Sequence, residues 1–319
     1  MMVEERVYDC IVLGAGAAGM ASSIYLSRYQ LEHLIFGEAP GGQFLDAVVV
    51  ENYPGFTSIS GPDLVQAFKD HTESYGVSIR QERVGELNRE KSVFVIKTDK
   101  GNFYRTKTLI LALGGRHRPL NIPGEDKFLG KGVSYCATCD APLFKGKDVA
   151  VVGGGDSGVT AATHLASFAK RVYMVHRRKE YTAQPREVEK MRSSKNVFEV
   201  LENTVKEVKG TDVVEAIGLA KPYQGNEELS VQGVFVEIGL IPASSIAKAL
   251  GVKMDEQGYI KVKPAMNTNV SGVFAAGDLA LIPGALPFRQ IVTSAADGAR
   301  AAAGVYQYLR EQVPTPDWG

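Results

Sequence analysis

The sequence has few cysteines and no excess charge of either sign, and both features exclude classes of protein. It contains 3 cysteines among 319 residues, too few for a scaffold held together by disulfides. Its 36 Lys and Arg residues balance its 36 Asp and Glu residues, so we expect no nucleic-acid partner. Hydrophobic residues make up 45% and charged residues 23%, as in globular proteins, and the length predicts two domains.

The sequence has little that would target it to, or hold it in, a membrane. The uncharged run Cys10–Ser27 is interrupted by glycines and serines, which make it a poor membrane span. Near the N-terminus Glu4, Glu5 and Asp9 outnumber Arg6, whereas a signal peptide is positively charged there. We therefore expect a soluble, cytoplasmic protein that does not associate with membranes.

Glycine, by contrast, is abundant at 34 residues, and part of it lies in an internal repeat. Residues Asp9–Gly19 align without gaps on Asp148–Gly158, an offset of 139 positions, and both segments read G-x-G-x-x-G. Each follows a short apolar run and precedes an Ala-rich stretch. This strand, turn and helix context is the one in which the motif binds dinucleotides.

The repeat extends through a second apolar strand, which ends at a different polar residue in each copy. Glu38 ends the first strand and is suited to accept a hydrogen bond from a ribose 2′-hydroxyl. Arg177, flanked by His176 and Arg178, ends the second. Two dinucleotide sites with different ribose chemistry follow, unless both turns are purely structural and both residues merely solvated.

The remaining pattern predicts an α/β protein of two Rossmann-like domains, the second inserted into the first. We assign residues 1–117 and 245–319 to a discontinuous first domain and 118–244 to the second, joined by Pro- and Gly-containing connectors at 117–124 and 239–243. Helices are predicted at 62–75 and 293–309, and further strands at 77–80, 93–98, 108–113, 197–202, 213–219 and 233–238.

Cys136 and Cys139 are the candidates for chemistry. The C-x-x-C spacing brings two sulfurs within bonding reach, and a neighbouring thiol favours the thiolate that attacks a disulfide. Asp140, the next residue, could act as general acid and base. A zinc site would need two further ligands that the scattered histidines do not supply, so we expect no metal. A pair of inert buried thiols is the other alternative.

The order of these motifs resembles that of the low-molecular-weight thioredoxin reductases along essentially the whole chain. The resemblance rests on Cys136-Ala-Thr-Cys-Asp140 between the two glycine motifs, on Gly272-Val-Phe-Ala-Ala-Gly-Asp278 and on Phe288-Arg-Gln290. It implies FAD bound to the first unit, NADPH bound to the second, a homodimer, and thioredoxin or a similar small redox protein as partner.

The resemblance also implies which residues contact the cofactors. For FAD these are Gly14, Gly16, Ala17, Ala18, Gly19, Phe36, Gly37, Glu38, Gly42, Gln43, Asn52, Gly114, Gly277, Asp278, Arg289, Gln290 and Ile291. For the nicotinamide dinucleotide they are Gly153, Gly155, Ser157, His176, Arg177 and Arg178. Asp278 suits a ribityl hydroxyl, and Gln290 stands where the last predicted helix begins, whose positive end would stabilise a reduced flavin.

By the same resemblance, a nicotinamide reduces FAD, the flavin reduces the Cys136–Cys139 disulfide, and the dithiol reduces the partner. Cys139 would face the flavin, Cys136 would attack the partner, and Asp140 would move the proton. The nicotinamide site and the cysteines share the inserted domain, so they would reach one flavin in turn, by rotation on the connectors.

The second glycine motif departs from the pattern of relatives that use NADPH. Thr182 stands where those relatives carry a third basic residue, Gly158 where alanine is common, and Thr160-Ala-Ala where a pair of glutamates opens the helix. In the first unit, Leu113 departs from the customary Ala-Thr-Gly. The donor, NADPH, NADH or another, is therefore open.

Two further functions stay open at this point. One is a flavin-dependent oxidase that passes electrons from a small dithiol substrate to oxygen. The other is a flavoprotein whose cysteine pair switches the binding of a partner.

Overall fold

The structure, a computed structural model, describes residues 3–47, 49–285 and 288–311. It divides into two compact units, Met1–Arg116 with Pro242–Gly319, and His117–Ile241. Both are α/β, as predicted. Among the residues described, no helix has the length and apolar character needed to cross a bilayer.

Helices and strands are numbered here in chain order. The opening segment holds β1 (Val3–Leu13), α1 (Ala17–Arg28), β2 (His33–Phe36), α2 (Gly61–Glu73), β3 (Ile79–Arg80), β4 (Val84–Glu90), β5 (Val93–Thr98), β6 (Phe103–Leu111) and β7 (Gly115–His117). The middle segment holds β8 (Val133–Ser134), α3 (Ala137–Asp140), β9 (Asp148–Val152), α4 (Asp156–Leu165), β10 (Arg171–His176), α5 (Pro185–Arg192), β11 (Val197–Leu201), β12 (Val205–Gly210), β13 (Val214–Tyr223), β14 (Asn226–Ser230) and β15 (Gly233–Val236). The closing segment holds β16 (Leu240–Pro242), α6 (Ser245–Ala249), β17 (Ile260–Lys261), β18 (Val273–Ala275), β19 (Ala280–Leu281) and α7 (Ile291–Glu311).

The first unit is built on a parallel sheet in the order β3, β2, β1, β6 and β18. The first half of β6 also pairs with β5, which continues into β4 as an antiparallel meander. Helices α1 and α7 cross closely because Gly298 has no side chain: a Cβ there would lie 2.0 Å from the Ala18 carbonyl oxygen. This packing holds the start of α7 beside the first glycine turn.

The second unit repeats the parallel arrangement in the order β11, β10, β9, β15 and β8. Its central strand β9 is buried along its whole length, and alternate residues face opposite sides of the sheet. Val149 and Val151 pack into one apolar cluster, whereas Ala150 and Val152 pack into the other. A three-stranded antiparallel sheet, β12 to β14, completes the unit.

The two connectors pair with each other. Strands β7 and β16 form a two-stranded sheet, in which Ala243 N–H donates to Gly114 O at 3.0 Å and Arg118 N–H to Gly239 O at 2.9 Å. The spacing of these bonds makes the pair antiparallel. Backbone pairing therefore fixes the two connectors against each other.

Secondary structure departs from the predictions mainly at element ends. Strand β6 begins at Phe103 rather than 108, and α7 begins at Ile291 rather than 293. The strands β4, β12 and β14 were not predicted. Most residues of β4 and β14 are exposed, and β12 buries only Val205 and Val208, so all three lack the continuous apolar run that marks a buried strand.

Candidate functional site

Cys136 and Cys139 form a disulfide at the start of the short helix α3. The Cys139 side of the pair is exposed, and Cys136 is half-buried. Several hydrogen bonds hold Cys136; among them, its N–H donates to Ser134 Oγ at 3.0 Å, and its Sγ accepts from the Cys139 N–H at 3.1 Å. Donation to a sulfur favours its anionic form once the disulfide is reduced.

Asp140 ends the same helix, half-buried, with its N–H donating to Cys136 O at 3.2 Å. The predicted acid and base is thus adjacent to the cysteine pair in the fold as well as in sequence. The third cysteine, Cys10, lies buried in β1, where burial raises the pKa of its thiol to about 12. Cys10 is therefore protonated and unreactive at neutral pH.

The first glycine turn connects β1 to α1 with very little room. The Gly14 N–H donates to Phe36 O at 2.8 Å, and a Cβ on Gly14 would lie 2.1 Å from the Ala112 carbonyl oxygen. A Cβ on Gly19 would lie 1.8 Å from Gly14 O. Gly14 and Gly19 are therefore required by the fold itself.

Gly16 is different, because its missing side chain leaves space open. It stands at the start of α1 with extended backbone angles, and the nearest atom to a Cβ there is Gly41 O at 3.8 Å. Gly41 bounds this open space on the other side, and its N–H donates to Ala15 O at 2.8 Å. Bare backbone at a helix N-terminus is what a pyrophosphate needs.

Several other residues predicted to contact FAD make hydrogen bonds or ion pairs within the same unit. Gln43 Nε2 donates to Gly115 O at 3.0 Å, and Asn52 Nδ2 donates to Gln290 Oε1 at 3.0 Å. Glu38 was predicted to end the second strand, but β2 ends at Phe36 and Glu38 lies two residues beyond it, exposed and 3.8 Å from the Arg83 guanidinium. Gln290 directly precedes α7, which begins at Ile291.

Asp278 follows Gly277 in a 3₁₀ turn and is the most enclosed acid of the group. Its carboxylate accepts from Ser294 Oγ at 2.9 Å, and burial raises its pKa above the ordinary range. Arg289 Nε donates to Asp278 O at 3.3 Å, and its guanidinium lies 3.8 Å from the centre of the Tyr259 ring. A carboxyl group held this way can accept a hydroxyl hydrogen bond from a ligand.

The second glycine turn repeats the first in backbone detail. The Gly153 N–H donates to Val175 O at 3.0 Å, as Gly14 does to Phe36, and Thr182 N–H donates to Gly154 O at 2.8 Å, as Gly41 does to Ala15. The internal repeat therefore extends to residue 182, with two extra residues in the loop. Thr182 occupies the place that Gly41 has in the first unit.

Side chains, however, make the second turn different. Thr182 Oγ1 donates to Gly154 O at 3.2 Å and lies 3.8 Å from the Cβ position of Gly155. Asp156, at the first position of α4, accepts from the Gln184 N–H at 2.8 Å. Thr182 thus stands where the first unit has Gly41, and the Asp156 carboxylate stands where the first unit has Ala17.

The basic residues after β10 divide into buried and exposed. His176 is 7% exposed, and its Nε2 hydrogen-bonds Glu180 O at 3.0 Å. Its ring stacks on Tyr181 at 5.5 Å between centroids, and burial lowers its pKa, so it is neutral at pH 7. Arg177 and Arg178 are exposed, as is Ser157. Of the three basic residues predicted to contact the nucleotide, the two arginines therefore carry positive charge at neutral pH, whereas His176 does not.

Some residues of these sites were missed by the sequence reasoning. Gly41 bounds the open space beside Gly16, Ser294 donates a hydrogen bond to the Asp278 carboxylate, and Tyr259 lies against the Arg289 guanidinium. Gly41 could have been found from its place next to Gly42. Ser294 and Tyr259 come from distant parts of the chain, and no local pattern marks them.

Comparison with known proteins gives a consistent result. The family described as pyridine nucleotide-disulphide oxidoreductase matches residues 8–302. A thioredoxin reductase of Bacillus subtilis is 39% identical over 317 residues, which cover 98% of each chain. Lactococcus lactis thioredoxin reductase superposes with a TM-score of 0.90 at 34% identity, covering 95% of this chain and 99% of that one. A ferredoxin-flavin thioredoxin reductase from Clostridium acetobutylicum superposes with a TM-score of 0.52 at 33% identity, covering 97% and 100%.

The open space beside Gly16 allows a test of the expected pyrophosphate site at the first glycine turn. Gly16→Ala should fold, because its backbone is extended and the added Cβ has room, yet the Cβ would occupy the space of a pyrophosphate. We expect affinity for FAD to fall by about tenfold or more, since each ~1.4 kcal/mol lost is a factor of ten. Flavin content and FAD titration of the apoprotein measure this.

Gly155→Ala is the matched control, because it makes the same change at the same place in the second turn. It should leave the flavin content unchanged. Full FAD affinity in Gly16→Ala, or an equal loss in both variants, would contradict the assignment of FAD to the first unit.

Proposed function

Because the chain belongs to the pyridine nucleotide-disulphide oxidoreductase family, we propose that it is a flavin-dependent disulfide reductase, with thioredoxin or a similar small redox protein as its substrate. The observation that carries the proposal is the Cys136–Cys139 disulfide, borne by a chain with two glycine turns of dinucleotide-binding geometry. We assign FAD to the unit of residues 1–117 and 245–319, where Gly16 is open and Glu38 follows β2. The nicotinamide-type site belongs to residues 118–244.

The cysteine pair performs the exchange. FAD, when bound and reduced by the electron donor, would supply the electron pair that reduces the disulfide. The Cys139 N–H then stabilises the Cys136 thiolate, which attacks one sulfur of the partner's disulfide. Cys139 attacks the mixed disulfide, the partner leaves as a dithiol, and Cys136–Cys139 is re-formed. Asp140 gives and takes the proton beside the pair.

The surface next to the disulfide supports a protein partner. Leu143, three residues beyond Asp140, is 68% exposed, which is unusual for so large an apolar side chain. An apolar contact beside a reactive disulfide suits a folded substrate better than a small dithiol. The reaction requires thiols that stay reduced, so we place the protein in the cytoplasm.

The cysteine pair and the nicotinamide-type site lie in the same unit and serve one flavin, so they act in turn. Rotation about the paired connectors, β7 and β16, accomplishes this with the backbone pairing kept intact.

Cys136→Ser tests the exchange. The variant should lose thioredoxin reduction completely, because no thiolate remains to attack the partner, while a chemical reductant still bleaches its flavin. Turnover is followed by the thiols released from thioredoxin, and Cys10→Ser, which alters a buried thiol outside the exchange, is the control. Unchanged turnover in Cys136→Ser would show that the pair is structural.

The electron donor is the second part of the proposal. A 2′-phosphate is bound by charge-assisted hydrogen bonds, and Thr182 offers none because its hydroxyl donates to Gly154 O. Arg177, in turn, stands where an NAD site would have a carboxylate. We therefore expect weak reduction by NADPH and by NADH. A reduced iron–sulfur protein is the second candidate donor, favoured by the similarity to a ferredoxin-flavin thioredoxin reductase.

Thr182→Arg tests the donor assignment. The new guanidinium should strengthen NADPH binding by roughly tenfold or more, as expected for one charge-assisted hydrogen bond. Stopped-flow reduction of the flavin at several NADPH concentrations measures the gain.

Thr211→Arg adds the same charge to the exposed loop between β12 and β13 and should give no gain. Rapid wild-type reduction at micromolar NADPH would refute the role given to Thr182. The absence of a gain in Thr182→Arg would place the defect at residues 160–162 instead.

We also propose that the protein is a homodimer, formed through an apolar groove in the first unit. Helices α1, α2 and α7 line this groove of about 470 Å³. At its rim Tyr25 is 42% and Phe56 is 40% exposed. A second copy of the chain, with the same apolar helices, is the occupant that suits it.

Ala296→Glu, on the α7 wall of the groove, should convert the dimer to a monomer by burying a charge in the interface. Sedimentation velocity measures the mass. Val213→Glu, which changes an exposed valine in the other unit, should remain dimeric. A monomeric wild type, or a dimer unaffected by Ala296→Glu, would contradict the proposed interface.

A further inference from the structure

Glu125 is the most buried carboxylate among the described residues of the second unit, at 2% exposure. Three donors surround it. The N–H of Leu120 donates to one oxygen at 2.8 Å, the N–H of Asn121 to the other at 2.7 Å, and Tyr135 Oη donates at 2.7 Å. A carboxylate removed from water is tolerated only when it is bonded in this way.

The two backbone donors belong to the first connector, which the sequence placed at 117–124. Asn121 has a positive φ of 56°, a conformation that asparagine tolerates better than most residues. It directs two successive N–H groups at the same carboxylate, an arrangement typical of anion binding by backbone. Glu125 therefore fixes the shape of the connector.

The third donor belongs to the redox segment. Tyr135 directly precedes Cys136, and its ring lies 5.7 Å from that of His117, at the end of β7. Burial and the Glu125 carboxylate raise the pKa of the Tyr135 phenol, so it remains a donor throughout the physiological range. The Ser134 hydroxyl, on the other side of Tyr135, is hydrogen-bonded to the backbone of Cys136.

Glu125 thus joins two parts of the chain whose functions differ. We propose that Glu125, through Tyr135, is a positioning residue that couples the connector to the Cys136–Cys139 disulfide. When the connector moves, the disulfide then moves with it as one body. Without this link, the segment between residues 121 and 135 would flex and the disulfide would not follow. This inference rests on the proposed function.

Tyr135→Phe removes the hydroxyl that joins the two parts and leaves the ring in place. We expect kcat for thioredoxin reduction to fall by about tenfold, as for loss of one hydrogen bond to a charged group, with KM for thioredoxin unchanged. The bleaching of flavin by dithionite should stay as in wild type, whereas the thermal midpoint should fall modestly because Glu125 loses one of its three donors. The matched control is Tyr173→Phe, a buried tyrosine of the same unit that lies on β10 and contacts Phe198.

A single-turnover measurement separates this inference from the choice of partner. After stopped-flow addition of about one equivalent of dithionite, recovery of oxidised-flavin absorbance follows transfer to the disulfide without thioredoxin. Transfer should be about tenfold slower in Tyr135→Phe than in wild type or Tyr173→Phe. If wild type transfers electrons to its disulfide but does not reduce thioredoxin, the proposed partner is contradicted. Slower transfer in Tyr135→Phe would still support the coupling in that case.

Glu125→Gln provides the second variant. It keeps the size of the side chain but presents an amide N–H to one of the backbone donors, so it should slow transfer at least as much and also lower the thermal midpoint. Wild-type transfer and kcat in Tyr135→Phe would overturn the proposal. So would a fall in kcat accompanied by an equal change in KM or by slower bleaching of the flavin with dithionite, since a general loss of structure would have those effects.

Discussion

The close approach of backbone segments at each glycine turn is the constraint on which both units depend. At Gly14 and Gly153 a strand turns directly into a helix, and a carbonyl oxygen of a neighbouring segment lies 2.1 and 2.0 Å from where a Cβ would be. The helix starts are thereby fixed at the edge of the parallel sheet, with N–H groups directed outward. The binding and redox residues of each unit are arranged around these points.

The two turns share a backbone and differ in side chains, and that difference separates their functions. The first keeps glycine at residues 16, 41 and 42 and has a carboxylate at Glu38, a combination suited to an FAD ribose and pyrophosphate. The second has Thr182 and Asp156 where the first has Gly41 and Ala17, and Arg177 follows β10. The fold thus repeats the dinucleotide geometry at the second turn with different side chains, and this difference is the basis for the proposal that NADPH and NADH are weak donors.

Most of the parallel framework and the cysteine pair could be predicted, because they depend on local patterns: the spacing of glycines, buried apolar runs, and a C-x-x-C. The antiparallel strands β4, β12 and β14 could not, since they contain few buried apolar residues and obtain their stability from pairing with neighbours. Glu125 was missed for a related reason. It looks like a surface residue in a polar loop, and only the fold shows that Leu120, Asn121 and Tyr135 converge on it.

The central claim is that a flavin and the Cys136–Cys139 disulfide form one electron-transfer unit. Anaerobic titration with dithionite, counted per bound FAD, tests it most directly. The account predicts uptake of about four electrons per flavin in wild type, because flavin and disulfide are each two-electron couples, and about two in Cys136→Ser. Uptake of about two electrons by both proteins would contradict it, since the disulfide would then not exchange electrons with the flavin.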